Sequence, residues 1–369
     1  MPSELRVDKV SSTTSPYDPV FSTTGGALSH RNMIINGAMQ ISQRGVVATA
    51  IASSGTYSLD RFIGSEDTDG SFTIQQSSTA PAGFTKSLLL TITGADSSIA
   101  HNQTSHLGQR IEGQNIEHLA WGTSDAKTVT LSFWVRSSVT GTFGGGVTNS
   151  AENRSYNFSY TISSANTWEK KTITIPGDTS GTWLTTNGIG MRVVWSIGSG
   201  TTYSQSAGSW TATAKYMGTT GQTQLIATNG ATFYLTGVQL ELGSVATPFE
   251  HRSYGEELAK CQRYYQNSYR LGEIPATSSP LDRDGQYMTR WNDGNVTGPR
   301  WTVAMRAAPS VTIRGYGSNT TGQVKVNGGS FITNSSANSI NHQSCAYIHI
   351  NDTTSGVWAH YTWEAFAEL

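Results

Sequence analysis

The 369-residue sequence predicts an all-β protein built from antiparallel sandwiches. Three observations carry that expectation. Short alternating or β-branched runs recur along most of the chain, Gly, Ser, Thr and Asn punctuate them, and helical periodicity is almost absent. Only 13% of residues are charged and the net charge is −1. An ordinary globular protein carries roughly 25% charged residues, so this surface is polar but nearly uncharged and suits hydroxyl- and amide-rich partners. No basic footprint points to nucleic acid. No apolar stretch approaches the ~20 residues of a membrane span, so membrane insertion is not expected.

Taken in order, residues 1–30 are rich in Ser, Thr, Pro and Gly and would not fold alone. They read either as a loose terminus or as an extended arm that orders against a neighbouring subunit or docking partner. Leu5 and Val7 alternate with Arg6 and Asp8, as in a strand added to another sheet. MPSELRVDKV lacks an apolar core segment, so folding without a secretion address is expected. From Asn32 onward, strands are predicted at Phe72–Gln75, Ser87–Thr93, Thr128–Arg136, Tyr156–Ile162, Glu169–Ile175, Met191–Ile197 and Thr232–Leu242. In TVTLSFWVR, Val129, Leu131, Phe133 and Val135 share one face while Trp134 stands on the other.

Gly255–Gln266 is the one helix predicted, with Glu256 and Glu257 at the positive end of its dipole and Arg263 near the other. Leu258, Cys261 and Tyr265 form a single apolar stripe. Two uses of it stay open: packing on the helix's own domain, or a three-helix seam on a trimer axis. Leu271–Gly298 is turn-rich. Short strands of a second, smaller β-domain are predicted at Arg300–Met305, Ser310–Arg314, Gly322–Asn327, Ala346–Ile350 and Tyr361–Ala367. Cys261 and Cys345 lie far apart and are expected as free thiols of a protein folded in a reducing cytoplasm.

Three segments carry a resemblance. NMIINGAMQISQRG (Asn32–Gly45) with YSLDRF (Tyr57–Phe62), TWEKKTITIPGDTSGTW (Thr167–Trp183), and GVQLELGSVATPFEHRSYGEELAKCQRYYQ up to Gln266 resemble the opening, middle and close of one domain. That domain is the jelly-roll, similar to a carbohydrate-binding module, found in tail fibres and related virion proteins of tailed bacteriophages. MRAAPSVTI and the closing FAEL resemble fibre tips in style. The resemblance implies an anchoring arm over 1–30, a jelly-roll over 31–250, a linker helix over 251–270 and a distal receptor-binding β-domain over 271–369. It also implies a homotrimer that docks on other virion proteins by its N-terminal arm, resides in the virion, and recognises a host-surface glycan during adsorption. A head fibre or capsid decoration without receptor role is the alternative, and a polysaccharide depolymerase a further one.

Catalytic candidates are few. Glu66, Asp67 and Asp69 read as a surface loop, Glu112 and Glu117 as structural or rim residues, and Asp282 with Asp284 as a turn rather than a calcium loop. His101 and His106 in HNQTSH lack metal-ligand spacing. GTFGGG and GYGSNTTG do not link a strand to a helix, so no phosphate cradle is expected. No catalytic residue, metal or cofactor is expected. Aromatics are the better lead, because sugar C–H faces stack on Trp and Tyr while hydroxyls seek amides. Among distal aromatics, Trp301 and Trp363 fall in apolar patterns and read as core; Tyr361 stands beside them. Tyr287, Trp291, Tyr316 and Trp358 are the expected glycan contacts.

Overall fold

The computed structural model describes residues 30–46, 48–52, 55–273, 286–289, 295–317, 320–326, 330–351 and 358–369. The expected arm, His30 apart, lies outside them. The larger unit contains β1 (Thr49–Ala50), β2 (Thr56–Leu59), β3 (Phe62–Glu66), β4 (Ser71–Ser77), β5 (Ser87–Gly94), β6 (Thr104–Glu112), β7 (Val129–Ser137), β8 (Gly141–Asn149), β9 (Ser155–Ile162), β10 (Glu169–Ile175), β11 (Ile189–Ser199), β12 (Ser204–Gln205), β13 (Trp210–Thr211), β14 (Gly218–Thr219) and β15 (Thr232–Leu242). A six-stranded front sheet runs β1-β4-β5-β15-β7-β10, and a seven-stranded back sheet runs β13-β9-β8-β11-β6-β3-β2. Their pairings are antiparallel. The chain crosses repeatedly from one sheet to the other, which winds it as a jelly-roll sandwich.

Period-two alternation decides what lies between the sheets. On the back sheet, Leu107, Ile111, Val147, Val193, Trp195 and Ile197 point inward; from the front sheet come Leu131, Phe133, Val135, Phe233 and Leu235. Phe133 meets Tyr160 and Trp195 edge-on, with ring centroids 5.1 and 5.6 Å apart. Such pairs add about 0.5–1.5 kcal/mol each beyond the area they bury. Trp134 stands half-buried on the opposite face, as its alternation predicts. The NMIING segment lies along β15: Met33 N–H donates to the Leu240 carbonyl at 2.9 Å, and Asn32 bridges Val238 and Leu240 through its side chain. Gly37 is required there, since a Cβ would stand 2.1 Å from the Val238 carbonyl oxygen.

The rest of the described chain comprises α1 (Tyr254–Gln262), β16 (Tyr265–Asn267), β17 (Gln286–Thr289), β18 (Asn295–Thr297), β19 (Ser310–Gly315), β20 (Val324–Val326), β21 (Ser330–Ile332), β22 (Ser336–Ile340), β23 (Cys345–His349) and β24 (Trp358–Phe366). β24 is the hub, pairing with β16, β17, β19 and β20, while β18-β23-β22 form a separate sheet. A second core lies between them, including Trp301, Ile313, Val324, Ile348, Tyr361 and Trp363. Both cysteines are free and buried.

Three expectations need correction. The helix ends at Gln262 rather than Gln266; the chain then turns so that Tyr265 opens β16 opposite Phe366. The stripe of Leu258, Cys261 and Tyr265 is therefore not a continuous helical seam. Cys261 and Tyr265 are both 0% exposed within one chain, and Leu258 and Cys261 pack with Ile35, Ile41, Tyr264 and Leu369. Arg300–Met305 is not a strand: Arg300 makes one isolated bridge to Ser344, and Trp301 and Met305 enter the core from a loop. Turn-rich Leu271–Gly298 also contributes the short strands β17 and β18. Strands β2, β3, β6 and β8 were also not expected.

Candidate functional site

The outer face of the back sheet is divided in two. Over β8 and β9 it is covered by the chain between β13 and β15. Asn157 donates through Nδ2 to the Lys215 and Gly218 carbonyls, Ser155 donates to the Thr213 carbonyl, and Thr219 donates to the Phe158 carbonyl. The glycines of GTFGGG make this possible: a Cβ on Gly146 would stand 2.4 Å from the Tyr216 carbonyl oxygen. Over β3, β6 and β11 the face stays open. There a cleft of about 210 Å³ is lined by side chains including Ser65, His106, Arg110, Arg192, Val194 and Tyr216, with Glu152 from the β8–β9 turn at its rim.

Register sets the arrangement of charge. Ser65 pairs with His106, and Arg110 pairs directly with Arg192 across β6 and β11. Arg192 forms an ion pair with Glu152, and Arg110 donates to the Leu369 backbone oxygen. Glu152 also lies beside the Tyr216 hydroxyl, and burial with that carboxylate pushes the phenol well up, so Tyr216 is neutral. His106 falls to about 4, chiefly from burial and then from the positive charge of Arg110 and Arg192. Its ring is thus uncharged near neutral pH. His106 Nδ1 and Arg192 Nε are buried with no hydrogen-bond partner. The cleft therefore offers two guanidinium groups, a neutral imidazole, a phenol and a hydroxyl over an aliphatic floor. Glu152 is its single carboxylate among the lining residues, and glycosyl transfer uses a pair.

Of the four aromatic residues expected from sequence, Tyr316 is the one whose side chain is described, and it does not line this cleft. Tyr316 is half-buried in the smaller unit, its ring 6.1 Å from that of His360. Trp291 lies outside the described residues, and so do the side chains of Tyr287 and Trp358. Trp301 and Trp363 are core, 5.2 Å apart. Trp183 is buried and meets Trp121 edge-on at 4.6 Å, its indole donating to Asp178, which Arg154 also clasps at 2.8 and 2.6 Å. Glu66 is tied to Thr68 and Ser105, and Glu112 accepts from Arg263 at 2.9 and 2.6 Å and from the Tyr264 hydroxyl at 2.8 Å. Among the described residues no group of His, Cys, Asp and Glu side chains could hold a metal ion.

The motif residues fasten the two units together. Asp60 accepts from the Gln43 backbone and side chain, both at 2.6 Å. Arg61 lies 3.6 Å over the Tyr264 ring and pairs with Glu368; Arg44 lies 3.7 Å over the Tyr265 ring and donates to Glu368 at 2.9 Å. The Tyr265 hydroxyl donates to Glu364 at 2.9 Å. At the helix start, Ser253 accepts from Glu256 N–H, and Arg252 pairs with Glu250 and Glu257.

No family model and no curated protein matches the chain. Among solved structures it is similar to the enzymatically active domain of tailspike protein 4 from bacteriophage CBA120, at 11% identity and TM-score 0.30, covering 57% of this chain and 21% of that one. It is also similar to the family 11 carbohydrate-binding module of a Clostridium thermocellum cellulosomal cellulase, at 9% identity and TM-score 0.27, covering 56% of this chain and 99% of that one. A xylan-binding domain from Paenibacillus barcinonensis matches at 9% identity and TM-score 0.26, covering 58% and 96%. The chain spans about a fifth of the tailspike domain (21%). At such scores the architecture rests on the strand order itself.

Proposed function

We propose that this protein is a non-enzymatic phage fibre, a virion structural protein that recognises a bacterial surface glycan and mediates adsorption. The cleft on the back sheet carries the recognition part of this reading. It is the place where a preformed concavity, hydroxyl-seeking donors and an apolar floor converge on rigid strands. Its volume of about 210 Å³ is below the roughly 300–1,000 Å³ of sites for drug-sized ligands, which sizes it for one sugar residue of a longer chain. A single small site binds weakly. Trimerisation, and several fibres per particle, would raise effective concentration without tight individual contacts. The N-terminal arm would dock on another virion protein, and the smaller unit would stand beside the sandwich as a second candidate contact.

The test applies pure full-length protein to immobilised capsular polysaccharides and lipopolysaccharides, with reducing ends assayed and mass measured by light scattering. Retention on at least one polysaccharide, without new reducing ends and at three times the chain mass, is the expected result. Retention with oligosaccharide release would overturn the non-enzymatic reading in favour of a depolymerase. Retention on none would favour a structural virion component without receptor role.

A further inference from the structure

Resting on that reading, we infer that the cleft selects an acidic sugar, a residue whose carboxylate seats between Arg110 and Arg192. These two arginines are direct cross-strand partners with side chains on the same, outer face. Opposed residues in an antiparallel pair hold their Cβ atoms about 4.5–5.5 Å apart, and like charges placed there repel. The protein's own compensation is partial. Glu152, whose side chain is 41% exposed, pairs with Arg192, and the Leu369 backbone oxygen accepts from Arg110. His106 adds no charge, and the Tyr216 phenol remains protonated. Among the lining side chains, two guanidinium groups thus face one half-exposed carboxylate, with open volume between them.

The unpartnered polar atoms point the same way. Arg192 Nε is buried beside that volume without an acceptor, and His106 Nδ1 is buried without a partner four residues from Arg110 on the same strand. A guanidinium offers a planar fork that matches a carboxylate bidentately. An anionic sugar would relieve the repulsion, satisfy the orphaned donor and place its ring over Val194 and Ile63. A neutral sugar would do only the last.

The experiment titrates full-length protein with oligomers of galacturonate, glucuronate and mannuronate, each beside its carboxyl-reduced neutral counterpart. At least one acidic oligomer should bind about tenfold or more tighter than its reduced form, with affinity falling as salt rises, because the contact is ionic. Arg192→Gln should erase that preference, whereas Glu152→Gln, which removes the competing carboxylate, should tighten acidic binding about threefold. The second variant guards against the first failing to fold, and a weakening by Glu152→Gln would overturn the inference. Equal binding of acidic and reduced oligomers would overturn the acidic preference and leave the glycan reading standing. Binding of none of the three acidic oligomers would overturn it too, and retention on a neutral polysaccharide would then still support the glycan reading.

Discussion

Two clusters of arginine sit on the larger sandwich, and they differ in what surrounds them. At the junction, Arg44 and Arg61 lie over tyrosine rings at 3.7 and 3.6 Å and share Glu368, while Asp60 sits against Gln43. In the cleft, Arg110 and Arg192 face each other beside about 210 Å³ of open volume. Both clusters contain a guanidinium nitrogen without a hydrogen-bond partner, Arg61 Nε in one and Arg192 Nε in the other. An orphaned donor alone does not distinguish them. What distinguishes them is room: the first is roofed by aromatic rings, and the second is open to a ligand. Charge buried under rings fastens; charge beside a cavity selects.

The contrast can be broken experimentally. The largest effect should come from Arg61→Ala, which empties the buried space under the Tyr264 ring and leaves Glu368 to Arg44 alone. Removing one partner of a buried pair typically costs about 3–5 kcal/mol, so urea unfolding should shift by that order. A loss below about 1 kcal/mol would show that the junction does not hold the units together. Next comes Gly146→Val, which drives a side chain into the Tyr216 carbonyl at the cleft wall. Overpacking should cost about 1–3 kcal/mol and weaken glycan retention as well, and the two readouts can be compared in one preparation.

Acid should act through His106, whose folded value of about 4 lies below the ordinary 6.5. The unfolded chain then binds the extra proton first, so this contribution is present above pH 6.5 and is lost as pH falls toward 4. The loss should be on the order of 1 kcal/mol by pH 5, less than the full shift implies because the residue keeps some contact with solvent. His106→Gln should flatten the stability profile across that window, while a bound anion, which favours the protonated ring, should narrow the window from below. Smallest is the stability change in Arg192→Gln, expected within about 0.5 kcal/mol, since removing one of two opposed charges relieves repulsion as it breaks the Glu152 pair. A large destabilisation there would move the cleft arginines into the fastening class.

Much of the fold was legible in the sequence. Seven of the sandwich strands announce themselves by alternation, as TVTLSFWVR and EKKTITI do, and Trp301 and Trp363 read correctly as core. The segments around Asn32–Gly45 and Phe233–Gln266 stood out in wording but not in meaning. Asn32 bridges to Val238 and Leu240, and Asn267 donates to the Gln43 carbonyl, across more than 200 residues that local periodicity cannot span. The helix was overextended because Tyr265 continues its apolar stripe, although the residue in fact begins a strand paired with Phe366.

The cleft was hidden for two reasons. GTFGGG violates strand propensity and is a strand only because a later segment needs the space its missing side chains leave. The histidines of HNQTSH draw attention to metal spacing, away from the strand HNQTSH leads into. Its signal was period two: His106, Gly108 and Arg110 on one face, Leu107, Gln109 and Ile111 on the other.

The most direct test of the central claim fills the cleft without touching a charge. Val194, 4% exposed, forms its floor on β11, and Val194→Trp places an indole where the sugar ring would lie. Full-length protein and this variant are compared for retention on whichever polysaccharide the unmodified protein binds, with thermal unfolding measured in parallel. The account predicts retention lost at least tenfold with cooperative unfolding preserved, as expected when one packing position decides a small site. Equal retention by the folded variant would contradict it and place glycan recognition elsewhere on the molecule.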